Sequence, residues 1–281
     1  MEPTALRNSI PDERGGIFFG YVAAVCAVAA AVIATRVAGL PGFLGHAPAG
    51  FWLMAGFALL ADARPVSPAR GSRLSPVYPS ICFTFAILLS WGYAPAVLVQ
   101  TAAVGIAALI GRHRAWRAGF NAAQYALAFA VATAVLRLGG AGTAALLGAA
   151  AGWFAVNYLL VYLAVWLRFG GDWWDLLRRS ALYEALATGA LLLLAPVLAA
   201  AARASPALIP FVLVPLLAVN RMARLGAEQA RLARLDPLTG LANRKALTAE
   251  TARQLAAHSA PREGTPRSGS APREGAPRSG S

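Results

Sequence analysis

The residues of this chain that are able to do chemistry are few, and most stand in apolar surroundings. Glu184 and the neutral amides Gln100, Asn121, Gln124 and Asn157 lie inside long hydrophobic stretches of a 281-residue sequence. An ionised group at the centre of a membrane helix costs about 2.5 to 3.5 kcal/mol. A buried amide likewise needs a hydrogen-bonding partner. Glu184 falls about one turn into its segment, where it reaches the membrane interface or pairs with Arg178 or Arg179. The four amides are placed more deeply. Two roles suit them: hydrogen bonds between helices, or the lining of a small intramembrane polar pocket that takes in Glu184. His46, His113 and His258 are scattered, so no metal cluster is expected of them. Cys26 and Cys82 sit in apolar runs and predict neither a disulfide nor a metal site. The sequence contains no Ser/His/Asp arrangement, no pair of catalytic carboxylates and no phosphate-binding glycine loop. From these residues the chain is expected to be no enzyme as written and to hold no metal or cofactor.

The elements that must position these residues read as membrane helices. The sequence is 58% hydrophobic and 13% charged, with a mean hydropathy of +0.57. In soluble domains charged residues make up about a quarter. The expected fold is all-α, a polytopic helix bundle of about eight transmembrane helices, followed by a short cytoplasmic helix and a disordered tail. The apolar segments are Ile17 to Thr35, Ala49 to Ala61, Val77 to Gly111, Phe120 to Leu138, Thr143 to Leu167, Ala181 to Ala202 and Ala207 to Val219. The third is too long for one crossing, and Gly92, Tyr93 and Pro95 break it into two helices. The second is short for a hydrocarbon core of about 30 Å.

Arginine placement tests this count, because basic residues gather in cytoplasmic loops. With the N-terminus inside, the inner loops hold Arg64, Arg70 and Arg73, then Arg112, Arg114 and Arg117, then Arg168, Arg178 and Arg179, and finally Arg221 and Arg224. The outer loops hold Arg36, Arg137 and Arg203. Both termini are therefore expected in the cytoplasm, with the bundle in the plasma membrane. A formal charge of +13 would suggest nucleic-acid binding in a soluble protein. Here topology accounts for the arginines, so the expected partner is the lipid bilayer and no nucleic acid. Trp173 and Trp174 suit an interfacial anchor. The pairs Gly16 and Gly20, and Gly148 and Gly152, have the spacing that permits close helix approach.

Four regions result: a polar N-terminus over residues 1–16, a multi-pass region over 17–219, a polar helical linker over 220–257 and a tail over 258–281. In the linker, Met222, Leu225, Gln229 and Leu232 recur at spacings of three and four, which suits an amphipathic helix leaving the membrane or a parallel dimer stalk. The tail repeats Pro-Arg-Glu-Gly and Pro-Arg-Ser-Gly units, a composition without core-forming residues and expected to be disordered. Between them lies Asp236-Pro237-Leu238-Thr239-Gly240-Leu241-Ala242-Asn243-Arg244. Asp236 before Pro237 supplies a helix N-cap with proline at the first helical position, and Asn243 offers a second cap.

This stretch resembles the D-x-L-T-G-L-x-N-R opening of GGDEF domains, the diguanylate cyclase family, with Asp236, Leu238, Thr239, Gly240, Leu241, Asn243 and Arg244 matching at fixed spacing. The resemblance covers only the start of such a domain. In the family these residues join a signalling helix to the catalytic domain and are not themselves catalytic. The magnesium- and nucleotide-holding parts lie further on and have no counterpart here, so Mg and GTP are implied only for a complete domain. The resemblance implies a membrane-embedded sensory or input module of a cyclic di-GMP signalling protein, truncated just after the GGDEF domain begins. It also implies a homodimer through the cytoplasmic helix, and a small-molecule or physical stimulus of unknown identity. A different class, a small multi-pass transporter or permease fragment, also fits an apolar helix bundle. Transporters tend to have related halves and broken helices near the midplane, and the spans here contain no evident internal repeat.

Overall fold

The computed structural model describes residues 12–63, 79–140, 142–170, 173–211, 214, 247–248 and 251, with the backbone alone at 12–14, 173–177, 179, 180 and 183. All regular structure among the described residues is helical. The helices are α1 (Asp12–Ala34), α2 (Leu40–Gly45), α3 (Ala49–Ala63), α4 (Ser80–Trp91), α5 (Tyr93–Ile110), α6 (Ala115–Gly139), α7 (Thr143–Phe169) and α8 (Trp173–Ala204), followed by a 3₁₀ turn at Pro206–Leu208. The chain divides into two units, residues 1–227 and 228–281. In the second, the described residues are Leu247, Thr248 and Thr251, where the Thr251 hydroxyl donates to the Leu247 carbonyl at 2.9 Å. The resembling stretch at Asp236, Leu238, Thr239, Gly240, Leu241, Asn243 and Arg244, the coiled-coil stripe and the repeat tail lie outside the described residues.

Seven of the expected segments coincide with helices. Five helical stretches are long and apolar enough to cross a membrane: Gly15–Ala34, Tyr93–Ile110, Ala115–Gly139, Thr143–Phe169 and Glu184–Ala204. The 15 residues of α3 and the 12 of α4 span about 22 and 18 Å at 1.5 Å per residue, well below the bilayer core. Every residue from Ser80 to Leu88 of α4 is buried. A helix that is apolar all round and covered all round belongs to a protein core. Hydropathy alone does not distinguish that surrounding from lipid. The expected eighth segment begins in the 3₁₀ turn and runs mostly outside the described residues.

The break expected near Gly92 is a single-residue joint. Gly92 takes φ +91° and ψ −169°, closed to residues with a Cβ, and its N–H is bonded to Leu88 at 3.0 Å. Pro95 then occupies the first turn of α5, where a missing N–H leaves no helical bond unmade. α8 starts eight residues before the apolar segment read from Ala181, because the helix continues through its polar first turns.

The most extensive helix pair is α6 with α7, and α4 packs chiefly on α8. Glycine explains the first contact. A Cβ on Gly148 or Gly152 would lie 3.2 Å from a methyl of Val135 or Val131. Gly16 and Gly20 have the same spacing, yet among the described residues a Cβ on either meets nothing within 4 Å. Gly139, at the end of α6, is also tight, since its Cβ would meet that of Ala145 at 2.8 Å. Large apolar side chains such as Leu60, Leu109, Leu186 and Phe211 remain exposed, a surface compatible with contact to lipid.

Gly152→Leu should lower the thermal midpoint in detergent by the equivalent of about 1 to 3 kcal/mol, because the added atoms overpack the α6–α7 contact. Gly20→Leu should change it by less than about 0.5 kcal/mol. Equal shifts for the two would contradict this packing.

Candidate functional site

The start of α4 poses a problem of hydrogen bonding. Its N-cap is Pro79, which has no side-chain acceptor, and Ser80 is fully buried. First-turn N–H groups of a helix lack intrahelical partners. Asp62, near the end of α3 and only 1% exposed, supplies one: its Oδ1 accepts the Ser80 N–H at 3.3 Å, and the Ser80 side chain also bonds to the carboxyl. An acidic group at a helix N-terminus also meets the favourable end of the helix dipole.

From Ser80 the polar chain runs on. Gln100 of α5, 1% exposed, donates from Nε2 to Ser80 Oγ at 3.3 Å and accepts from the Thr84 hydroxyl at 2.6 Å. The Thr84 oxygen also lies 3.1 Å from the Ser80 carbonyl and 3.3 Å from that of Ile81. Asp62, Ser80, Gln100 and Thr84 thus tie three helices together through one continuous seam. Of these only Gln100 was anticipated. Asp62 reads as the charged end of an apolar run, and short hydroxyl residues hardly alter hydropathy.

The expected intramembrane residues fall in different places. Asn121 is half-buried in the first turns of α6, and with Asp62, His113 and Tyr125 it lines a cavity of about 20 Å³. That is room for a single water molecule. Gln124 is 3% exposed, and its Oε1 has no hydrogen-bond partner among the described residues. It lies seven residues before Val131, on the α6 face that meets Gly152. Asn157 Oδ1 is also unpartnered, one turn beyond Trp153, whose ring stacks on Tyr125 at 5.7 Å. Gln124 and Asn157 therefore belong to the α6–α7 side. Glu184 is half-buried at the start of the apolar part of α8. Gln100 alone joins the α3–α4–α5 seam.

The ends of the helices carry the larger concavities. At one end, about 620 Å³ is enclosed by Phe18, the α5–α6 turn and the last turns of α7, with Arg112, Arg114, Arg117 and Arg168 in its wall. At the other, about 670 Å³ lies between Thr35, Arg36, Phe43, Trp91, Tyr93 and Arg137. There the Arg36 guanidinium sits 5.3 Å above the Tyr93 ring. The lining residues place the start of α1, the end of α5, the start of α6 and the end of α7 together, so these helices alternate in direction. Arg36 and Arg137 thus lie at one end, and Arg112, Arg114, Arg117 and Arg168 at the other.

Among the described residues, no group of three or more His, Cys, Asp or Glu side chains has the arrangement to hold a metal ion. No protein-family model, curated protein or solved structure matches the chain.

The seam makes an asymmetric prediction. Thr84→Val leaves the buried Gln100 oxygen without its donor, at a cost of about 1 to 3 kcal/mol. Gln100→Leu instead lets the Thr84 hydroxyl turn to its own helix carbonyls, while Ser80 keeps Asp62. Thr84→Val should therefore lower the thermal midpoint more than Gln100→Leu. The reverse order would show that the seam is not wired this way.

Proposed function

We propose that this chain is the membrane-embedded input region of a GGDEF-type signalling protein. The observation that carries the reading is the run Asp236, Leu238, Thr239, Gly240, Leu241, Asn243 and Arg244, placed just after a long apolar region and a polar linker. Five helices of membrane-spanning length support the first half of that arrangement. In this reading the end bearing Arg112, Arg114, Arg117 and Arg168 faces the cytoplasm, because basic residues are retained there. The opposite concavity, with Arg36, Tyr93 and Arg137, then faces outward, where a stimulus is received. The linker helix carries the signal as a homodimer stalk.

In this reading the cyclisation of GTP belongs to a complete GGDEF domain and not to the residues of this region. Phosphoryl transfer needs metal ions held by carboxylates and donors that cradle the triphosphate. After Arg244 the acidic residues are Glu250, Glu263 and Glu274, two of them in the repeat tail. A transporter would instead carry substrate through the bundle, and it would not require the junction sequence.

Orientation is tested by thiol labelling of intact cells in a Cys26→Ala and Cys82→Ala background. Thr143→Cys should react with an impermeant reagent, whereas Ala115→Cys should react only after lysis. Labelling of Ala115→Cys in intact cells would reverse the assignment.

The signalling role is tested by fusing an intact cyclase domain after Arg244. The fusion should make cyclic di-GMP faster than the isolated cyclase domain, because the stalk brings two half-sites together. The unfused chain should show no turnover above a protein-free blank. A fusion no faster than the isolated domain would count against the input reading.

A further inference from the structure

We propose that the concavity between α1, the α5–α6 turn and α7 binds a phosphate group, and that an anionic lipid headgroup is the form in which it arrives. Four arginines, Arg112, Arg114, Arg117 and Arg168, stand in its wall, and no carboxylate is among the described lining residues. Guanidinium groups match phosphate oxygens in a planar fork, with charge-assisted bonds about twice as strong as neutral ones.

Arg168 is set in position beforehand. Its Cζ lies 5.2 Å from the Phe18 ring centre, 5.3 Å from Trp116 and 5.5 Å from Phe169. Phe18 and Trp116 meet edge to face at 5.4 Å, so the rings hold one another as well as the cation. Aromatic faces attract a guanidinium without neutralising it, which leaves its N–H edge for an anion. Further donors converge on the same space. Asn121 adds an amide to the lining. α6 also begins there, capped by Arg114 without a side-chain bond to its free N–H groups.

The turn itself is constrained. Arg112 holds φ +49°, a conformation uncommon for residues other than glycine, and the next N–H is bonded to Ala108 at 2.9 Å. Basic loops at a membrane surface follow from topology alone. Topology does not require an arginine among three rings, or a left-handed arginine in a four-residue turn.

The volume and the surroundings favour a lipid as the source. About 620 Å³ exceeds what a bare phosphate fills and lies within the range of small-molecule sites. Beside it, Leu109, Ile110 and Phe169 are 79%, 61% and 71% exposed, an apolar flank along which acyl chains can lie. Basic pockets between membrane helices are known to take phospholipid headgroups.

The test uses the full chain in a neutral detergent, with native mass spectrometry and thermal midpoints as readouts. Phosphatidylglycerol should be retained and should raise the midpoint, while phosphatidylcholine with the same acyl chains should do neither. Arg117→Gln removes an exposed arginine that has no ring contact, so it should fold normally and weaken phosphatidylglycerol binding about tenfold. Arg168→Gln should weaken it at least as much, and Arg137→Gln, at the opposite end, should leave it unchanged. If inorganic phosphate or GTP raises the midpoint in an Arg117-dependent way and phosphatidylglycerol does not, the phosphate site stands and its ligand is soluble. Equal retention of the two lipids with no response to phosphate or GTP overturns the site. So does binding by Arg117→Gln that matches the unsubstituted chain.

Discussion

A helix whose end is buried must find partners for its first N–H groups, and α4 is such a helix. Its first turn is buried, and Pro79 before it has no side-chain acceptor. Asp62 comes from another helix to fill that role. The position of α3 against α4 is thereby set by a bond that lipid cannot replace, since nothing in hydrocarbon accepts an N–H. Gln100 extends the same requirement to α5. Apolar side chains such as Met54 of α3 and Phe83 and Ile87 of α4 are fully buried in the same helices.

On the other side of the molecule the governing term is closeness. α6 and α7 approach until Val131 and Val135 lie against Gly148 and Gly152. Between apolar helices in lipid, dispersion contacts of this kind replace the hydrophobic drive that operates in water. Tyr125, Phe129 and Trp153 continue the contact with rings 5.7 and 5.8 Å apart. The two halves of the bundle are thus held by different physics, polar closure in one and close packing in the other.

Much of this was legible in the sequence. Apolar runs gave away seven helices, and Gly92 with Pro95 marked the joint between α4 and α5, because one supplies a special backbone conformation and the other cannot continue a helix. The opposed placement of Arg36 and Arg137 against Arg112, Arg114, Arg117 and Arg168 was also readable, since charge is excluded from hydrocarbon. That α4 is covered by protein was not, because it is as apolar as a helix that faces lipid. Asp62, Ser80 and Thr84 were invisible for a related reason: their significance comes from which helices meet, and no local pattern records that. Gln100, Asn121, Gln124, Asn157 and Glu184 were recognisable as polar groups in apolar stretches, but their distribution over separate contacts depended on the packing. Gly16 with Gly20 and Gly148 with Gly152 look alike in sequence, and among the described residues the second pair is the one that meets a neighbouring helix.

The difference in helix length has a mechanical side. α6 and α7, with 25 and 27 residues, are each about 40 Å long, and α4 with 12 is less than half of that. A bilayer exerts force where its hydrocarbon edge meets the ends of long apolar helices, which tilt when the layer thins. Its grip on α4 is indirect, since Ser80 to Leu88 are covered by protein. Thinning of a surrounding bilayer would therefore reach α4 through the helices packed on it. α8, long itself and packed along α4, is the foremost of these.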